Sequence, residues 1–174
     1  MDLDRLIEAR VSVRRYASAA AHEDIMLILA QAQRAPSWKN LQASRTYVAE
    51  DAERDAALRA CLPPFNLKSS ANATLVVTTF VRDTAGFSNG EPDNEAGNLW
   101  GAYDLGLHDA YLILAAKDAG FDTLIMGIRD ADSLRRALDI PQNEQIMSVI
   151  AVGKAAEAPA PKPRKPLDEV VRCL

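Results

Sequence analysis

Cysteine, histidine and glycine are scarce in this chain of 174 residues, which contains 2, 2 and 8 of them respectively. Cys61 and Cys173 do not make the disulfide framework of a small secreted domain, and reduced thiols in the cytoplasm are the simplest interpretation. His22 and His108 lie far apart in the sequence, with no pattern of metal ligands around them. We therefore expect no metal site, and we expect both histidines to be ordinary surface or core residues.

Long hydrophobic runs are also absent, and the N-terminal residues include Asp2, Asp4 and Glu8 instead of an apolar stretch. The sequence therefore predicts neither a secretory signal nor a membrane span, which favours a cytoplasmic location. The net charge of −4 argues against general nucleic-acid binding, because such proteins need a basic surface. No G-x-G-x-x-G motif follows a predicted strand, so a Rossmann nucleotide site is not expected.

The composition is that of an ordinary globular protein, 48% hydrophobic and 25% charged, and the length suits one domain with a core. Apolar periodicity predicts helices over 2–9, 18–35, 51–62, 99–119 and 130–138, and strands over 44–50, 74–81, 121–127 and 145–152. We interpret residues 65–70 as a polar loop or short turn. Helices interleaved with strands predict an α+β fold, with a small mixed β-sheet sandwiched by helices.

The segment from Arg10 to Tyr16 concentrates three arginines and one serine hydroxyl in seven residues. Alternation along an extended chain predicts that Ser12, Arg14 and Tyr16 face the same side. Guanidinium groups beside a hydroxyl suit a small anionic ligand such as a phosphate, because arginine presents a rigid fork of donors. A solvated basic turn is the alternative interpretation of this segment when it is taken alone.

Two irregular regions, residues 82–98 and 154–174, complete the chain. The first contains glycines, a proline and several acids, which predicts a mobile lid or an excursion from the core. The second contains four prolines and ends in apolar side chains that need a place to bury, namely Leu167, Val170, Val171 and Leu174. It predicts a stiff, extended arm that crosses the domain or a partner subunit.

Three motifs taken together resemble the nitroreductase family of FMN-dependent oxidoreductases. The sequence R-x-S-x-R at 10–14 is followed, after a helix, by A-P-S-x-x-N-x-Q at 35–42. The third motif is the basic, proline-flanked segment at 161–166. The resemblance runs from Arg10 to Val171. It implies a nitroreductase-like fold, a single FMN-binding domain over 1–174 and a homodimer that exchanges its C-terminal arms.

The resemblance also implies an activity. FMN would lie at the subunit interface and pass hydride from NADH or NADPH, through flavin N5, to a small oxidant such as a nitroaromatic or a quinone in a ping-pong cycle. Because the flavin does the chemistry, no catalytic side chain is assigned. Two alternatives stay open, a non-enzymatic FMN-binding carrier or sensor and specialised flavin chemistry on the same fold.

The family pattern assigns residues of this chain to three parts of the FMN site. The phosphate is assigned to Arg10, Ser12, Lys162 and Arg164, with Val11 in the same motif. The flavin ring is assigned to Arg14 near N1 and the C2 carbonyl, to Asn66 and Lys68 at the pyrimidine edge, and to Met126 and Gly127, whose backbone N–H approaches N5. The loop from the second subunit consists of Pro36, Ser37, Trp38 and Asn40, with Gln42 as a support.

Three departures from the family pattern concern the surroundings of the ring. Trp38 stands where a small residue is usual, and Gly127 is single where a pair is frequent. Residues 43–45 are Ala-Ser-Arg where the family commonly has Pro-Trp after the position of Gln42. We therefore expect the packing at the ring edge and the contacts to the acceptor to differ from those of the family.

Overall fold

The computed structural model of the chain describes residues 2–157 and 159–174. Met1 and Ala158, which belong to the predicted domain and arm, lie outside the described residues. The helices are α1 (Leu3–Ala9), α2 (His22–Ala32), α3 (Ala52–Ala60), α4 (Pro64–Ser69), α5 (Leu99–Asp118), α6 (Ala131–Ala137) and α7 (Leu167–Val170). The strands are β1 (Tyr16–Ala19), β2 (Ser44–Val48), β3 (Thr74–Val81), β4 (Phe87–Ser88), β5 (Glu91–Pro92), β6 (Asp122–Met126) and β7 (Glu144–Ala155).

The main sheet has five strands and is organised around β7, which pairs with β1, β3 and β6. β3 and β6 pair with the same stretch of β7, so they lie on its two sides, and β2 pairs with the outer side of β3. These pairings are antiparallel, whereas Ser12 and Thr123 form a parallel bridge. The predicted α+β fold with a mixed sheet is confirmed, and it has one strand more than the four that periodicity predicts.

Helices cover both faces of this sheet, as predicted. Leu58 of α3 packs with Val149 of β7 in one core cluster. Ile28 of α2 and Leu112 of α5 pack with Ile150 in the other. The side chains of Val149 and Ile150 point to opposite faces of the sheet, because successive side chains of a strand alternate between its two faces. Burial on both faces explains why β3 and β7 are nearly continuous apolar runs.

Three of the differences between the predicted and the observed elements have a clear physical cause. Residues 65–70 are not a loop but belong mostly to α4, which begins at Pro64. A proline is favourable in the first helical turn, because the N–H that it lacks would have no hydrogen-bond acceptor within the helix. α2 begins at His22 rather than near Ser18, because residues 16–19 pair with the end of β7 as β1. β7 continues through Gly153 to Ala155 for the same reason.

The segment at 10–16 does not alternate along its whole length. Ser12 and Arg14 are exposed, but Tyr16 is buried with Val13. The Tyr16 hydroxyl donates a hydrogen bond to the Val13 carbonyl oxygen at 3.0 Å. The prediction that Tyr16 shares a side with Ser12 and Arg14 is therefore wrong, because the Tyr16 side chain packs with Val13 in the core.

The C-terminal residues 159–174 are exposed throughout. Their hydrogen bonds and ion pairs, within the part of the chain that the structure describes, join residues of this segment to one another. The apolar side chains of Leu167 and Val170 are 73% and 61% exposed, so they have no burial site within one chain. Arm exchange with a second chain stays a prediction.

Residues 82–98 include a small two-stranded hairpin made of β4 and β5. Asn94 accepts a hydrogen bond from the Trp100 indole at 2.9 Å, which ties this region to the start of α5. Mobility of the region stays a prediction. Among the residues that the structure describes, no helix is both long and apolar enough to cross a bilayer.

Candidate functional site

The predicted site residues of the folded body fall into two groups at opposite edges of the sheet. The first group lies beside β6 and on α4, and consists of Arg10, Val11, Ser12, Arg14, Asn66, Lys68, Met126 and Gly127. The second lies in the loop before β2, and consists of Pro36, Ser37, Trp38, Asn40 and Gln42. The sheet order β6-β7-β3-β2 separates the two edges by three strand spacings, or about 14 Å.

The arginine segment of the first group is held against β6 by its backbone. Ser12 bridges Thr123, and the Val13 N–H donates to the Thr123 carbonyl oxygen at 3.0 Å. Val11 packs against the core, which leaves Ser12 and Arg14 exposed on the outer side. The segment therefore has a fixed backbone and free polar side chains.

Asn66 links α4 to the loop that follows β6. Its buried amide nitrogen donates to the Ile128 carbonyl oxygen at 2.7 Å. Apart from Gly127 and its two neighbours in the chain, no described residue has a heavy atom within 4 Å of the point where a Cβ on Gly127 would stand. The structure thus brings Asn66 next to a loop whose glycine borders open space, while Lys68 is exposed one residue beyond Leu67 on α4.

Arg129 supports the same loop and was not found by sequence reasoning. Its Nη1 donates to the Gly127 carbonyl oxygen at 2.7 Å, and its Nη2 donates to the Ile146 carbonyl oxygen. Burial lowers the pKa of Arg129, and its Nε has no hydrogen-bond partner among the described residues. A single arginine after a strand gives no sequence signal of this role.

Several cations assigned to the cofactor have no carboxylate partner within residues 2–157 and 159–174. They are Arg10, Arg14, Lys68, Lys162 and Arg164. The neighbouring Arg15, by contrast, pairs with Glu157 at 3.4 Å, and its carbonyl oxygen accepts from the Ala156 N–H at 2.9 Å. The C-terminal arm therefore starts beside the arginine segment, although Lys162 and Arg164 form no hydrogen bond or ion pair with that segment among the described residues.

The loop of the second group is pinned by two hydrogen bonds. The Gln42 N–H donates to Ser37 Oγ at 3.0 Å, and the Trp38 N–H donates to Asp104 Oδ2 at 2.8 Å. Lys39, Asn40 and Gln42 have φ values of 48°, 56° and 49°, in the left-handed region that non-glycine residues rarely adopt. Such strain persists only where surrounding contacts hold it.

The Trp38 ring packs within its own chain. It lies 4.7 Å from the Trp100 ring, centroid to centroid, at an angle of 48°. The adjacent Lys39 ammonium lies 3.2 Å from Asp93, whose pKa is lowered by hydrogen bonds from Ser88 and then Lys39. Pro36 and Asn40 are exposed at the surface of the same loop.

A cavity of about 630 Å³ lies between α2, residues 35–42, β2 and α5, and we name it the α2–α5 cavity. Met26, Leu29 and Ala30 make its α2 side apolar. Its ionisable lining groups are Arg45 of β2 and two residues of α5, Asp104 and His108.

Asp104 is only 3% exposed, and burial raises its pKa against the opposing hydrogen bond from the Trp38 N–H. Asp104 and His108 sit one helical turn apart on α5. Neither was singled out as a functional residue from the sequence, because a lone acid or histidine on a helix has no motif. No cluster of three or more potential metal ligands occurs in the described part of the chain.

Comparisons with known proteins agree with this fold. The model of the nitroreductase family matches residues 7–154. A nitroreductase family protein from Streptococcus pneumoniae TIGR4 superposes with a TM-score of 0.85 and 21% identity, over 99% of this chain and 100% of that chain. A comparison with curated proteins found no match.

Two further solved structures contain FMN. An oxidoreductase containing FMN gives a TM-score of 0.83 and 24% identity, over 99% of this chain and 91% of that chain. A structure from Exiguobacterium sibiricum 255-15 in complex with FMN gives a TM-score of 0.79 and 22% identity, over 100% and 98% of the two chains. At these identities the likeness shows a shared fold.

Proposed function

The chain belongs to the nitroreductase family, and from this we propose that it is an FMN-dependent oxidoreductase which takes hydride from NADH or NADPH. The observation that carries the proposal is the first group of site residues. Arginines that have no carboxylate partner among the described residues, together with a hydroxyl, stand on a fixed backbone beside β6, next to the Gly127 loop, which borders open space. A flavin mononucleotide needs both features, a cationic site for its phosphate and an open polar edge for its ring.

The residues at the phosphate end fit a phosphate monoester. Arg10 and Ser12 stand at the end of α1 and beside β6, and Arg10 has no carboxylate to satisfy it within the described chain. A phosphate removed from water needs several charged donors to offset the cost of desolvation. We assign Lys162 and Arg164 to the same group, because the arm that carries them leaves the body beside Arg15.

The residues at the ring end fit a flavin. The amide nitrogen of Asn66 is committed to the Ile128 carbonyl oxygen, which leaves its amide oxygen to accept from the pyrimidine edge. The Gly127 carbonyl oxygen is held by Arg129, which fixes the orientation of the peptide units near Gly127. Arg14 would supply a fixed positive charge where negative charge develops on reduction.

Bound FMN would supply the redox chemistry, which is hydride transfer through N5 to a small oxidant such as a quinone or a nitroaromatic. The chain's own residues bind the phosphate, orient the ring and shape the space beside it. Donor and acceptor would use the same space in turn, which is a ping-pong cycle. No acid or base is required for the hydride transfer itself.

We further propose that the site is completed by a second copy of the chain. The two groups of site residues lie beside β6 and before β2, and these two strands are separated by about 14 Å in one chain, so we expect one flavin ring to contact only one of the groups. α1 and α5 also expose Leu3, Ile7, Tyr103 and Tyr111, a set of apolar side chains typical of an interface core. The arm of each chain, with its exposed Leu167, would cross to the partner.

The test is an anaerobic titration of the purified, FMN-loaded protein with NADH and with NADPH. The visible flavin absorbance is expected to bleach with at least one donor and to return when a quinone is added. FMN that is tightly bound but is reduced by neither donor would instead support a non-enzymatic carrier or sensor. A protein that binds no FMN would contradict the whole proposal.

A further inference from the structure

We propose that His108 donates a proton to the acceptor bound in the α2–α5 cavity, so that the preferred acceptors take up protons as well as electrons. The inference rests on the proposed function, because residues 35–42 bound this cavity and are also the residues assigned to the partner's flavin. A molecule in the cavity would then lie beside the flavin and in contact with His108.

His108 is held by its neighbour in a defined orientation. Its Nδ1 lies 3.2 Å from Asp109 Oδ1, and the two side chains are only 13% and 12% exposed. A carboxylate opposite Nδ1 keeps a proton on that nitrogen and leaves Nε2 to exchange a proton elsewhere. Nε2 has no hydrogen bond to any residue that the structure describes.

The carboxylate behind His108 is itself fixed. Asp109 Oδ2 accepts a hydrogen bond from the Thr78 hydroxyl at 3.1 Å, and that hydroxyl lies 2.9 Å from Ser148 Oγ. Thr78 and Ser148 are buried in the two central strands, β3 and β7. The sheet therefore positions Asp109, and Asp109 positions the imidazole.

Three elements line the cavity beside the imidazole, and two of them contribute charged groups. α5 contributes Asp109 behind the ring and Asp104 one turn earlier. β2 contributes Arg45, whose Nη1 donates to the carbonyl oxygens of Gln42 and Ser44 at 2.8 Å each. α2 lines the cavity with uncharged side chains. His108 is thus the imidazole of the cavity lining, and an imidazole can act as a general acid through its Nε2.

The chemistry of the acceptor requires such a group. Reduction of a quinone to a hydroquinone adds two electrons and two protons, and a hydride supplies both electrons with one proton. The second proton comes from an acid: the Nε2–H bond breaks, an O–H bond forms on the acceptor, and the imidazole regains its proton from water. A positioned acid contributes on the order of 10²-fold or more to such a step.

The first test compares two acceptors in the FMN-loaded protein. Ferricyanide takes electrons and no proton, whereas a benzoquinone takes both. His108→Gln is expected to lower kcat for the quinone on the order of 10²-fold and to leave ferricyanide reduction unchanged. His22→Gln is the matched control, because His22 is the other histidine and lies exposed at the start of α2. It is expected to behave as the wild type with both acceptors.

The second test does not use activity. With two histidines in the chain, the ring ¹⁵N signals of His108 and His22 can be assigned by substitution. Phenol, a stable analogue of the reduced acceptor, is expected to shift the Nε2 signal of His108 in a saturable way and to leave that of His22 unmoved. Phenol that moves neither signal would show that the cavity does not receive such a ligand.

The outcomes separate this inference from the proposed function. Equal rates of quinone reduction in His108→Gln and the wild type would overturn it while the flavin activity stands. Loss of FMN from the His108→Gln variant would also overturn the inference, since His108 would then help to bind the cofactor. A wild-type protein whose FMN no donor reduces contradicts the proposed function instead, and the imidazole titration with phenol still reports on the cavity.

Discussion

At the residue scale, one partly buried polar pair outside the candidate site joins Tyr47 to Glu144. The Tyr47 hydroxyl lies 2.9 Å from each carboxylate oxygen of the buried Glu144, which also accepts from Thr79. Burial first, and then the hydrogen bond and charge of Glu144, raise the pKa of Tyr47 to about 12. A tyrosine in the unfolded chain titrates near pH 10. The pair therefore stabilises the fold below about pH 10, and this stabilisation is lost as the pH rises through about 12.

Tyr47→Phe is expected to lower the free energy of unfolding by about 1.5–3 kcal/mol at neutral pH, because a charged acceptor loses its donor. The difference from the wild type is expected to shrink between about pH 10 and pH 12, where the wild type loses the same bond. Urea unfolding at a series of pH values measures both effects. A variant as stable as the wild type at pH 7 would show that the bond contributes nothing.

Residues with local signals were predictable, and residues whose partners are distant in sequence were not. Asp51 accepts from the Arg54 N–H as an N-cap, which an acid before a helical pattern indicates. Asp104 and Trp38 are 66 positions apart and meet only in the fold. Arg129 and His108 acquire their surroundings in the same way. The R-x-S-x-R and A-P-S motifs located the candidate site without defining its cavity.

At the scale of elements, α5 holds the loop before β2 through Asp104. The Trp38 N–H donates to this buried carboxylate, and the loop that follows contains three strained residues. Asp104→Ala is expected to lower the free energy of unfolding by about 1–3 kcal/mol, because the partly buried Trp38 N–H loses its acceptor. Thermal or urea unfolding measures this loss.

Asp104→Asn is the matched variant, because its amide oxygen still accepts from Trp38. Burial raises the pKa of Asp104, so the ionised carboxyl opposes folding at neutral pH, and this penalty is relieved as the pH falls. The asparagine variant is therefore expected to be at least as stable as the wild type at pH 7. An alanine variant with unchanged stability would contradict the assigned link between α5 and the loop.

Elements with strong periodicity were predicted well, and the missed element has a physical reason. β3 has the predicted bounds of 74–81, because a run of β-branched residues strongly favours a β-strand. α4 was interpreted as a loop, since the Pro63-Pro64 pair marks the end of α3. The same Pro64 also opens a new helix, and the sequence alone does not distinguish the two effects.

At the scale of the whole molecule, the order of strands separates the two halves of the candidate site. The sequence predicted the halves by motif, but not that β7 and β3 lie between them, because strand order depends on pairing over long distances. That separation is what requires a second chain in our account. In a dimer with two-fold symmetry, each site takes its first group from one subunit and its second group from the other.

This arrangement can be tested by complementation between two damaged chains. One chain carries Arg10→Ala with Arg14→Ala, and the other carries Ser37→Ala with Asn40→Ala, each with its own affinity tag. Each homodimer alone is expected to lose FMN, because every site contains one damaged half. A dimer purified through both tags contains one site with both halves intact and one with both halves damaged.

The deciding measurement is the amount of FMN bound by the dimer that carries both tags. The account predicts one FMN per mixed dimer, half the content of the wild type, and bleaching of that FMN by the same donor. A mixed dimer that binds no more FMN than the two damaged homodimers would contradict the claim that the subunits share the flavin site.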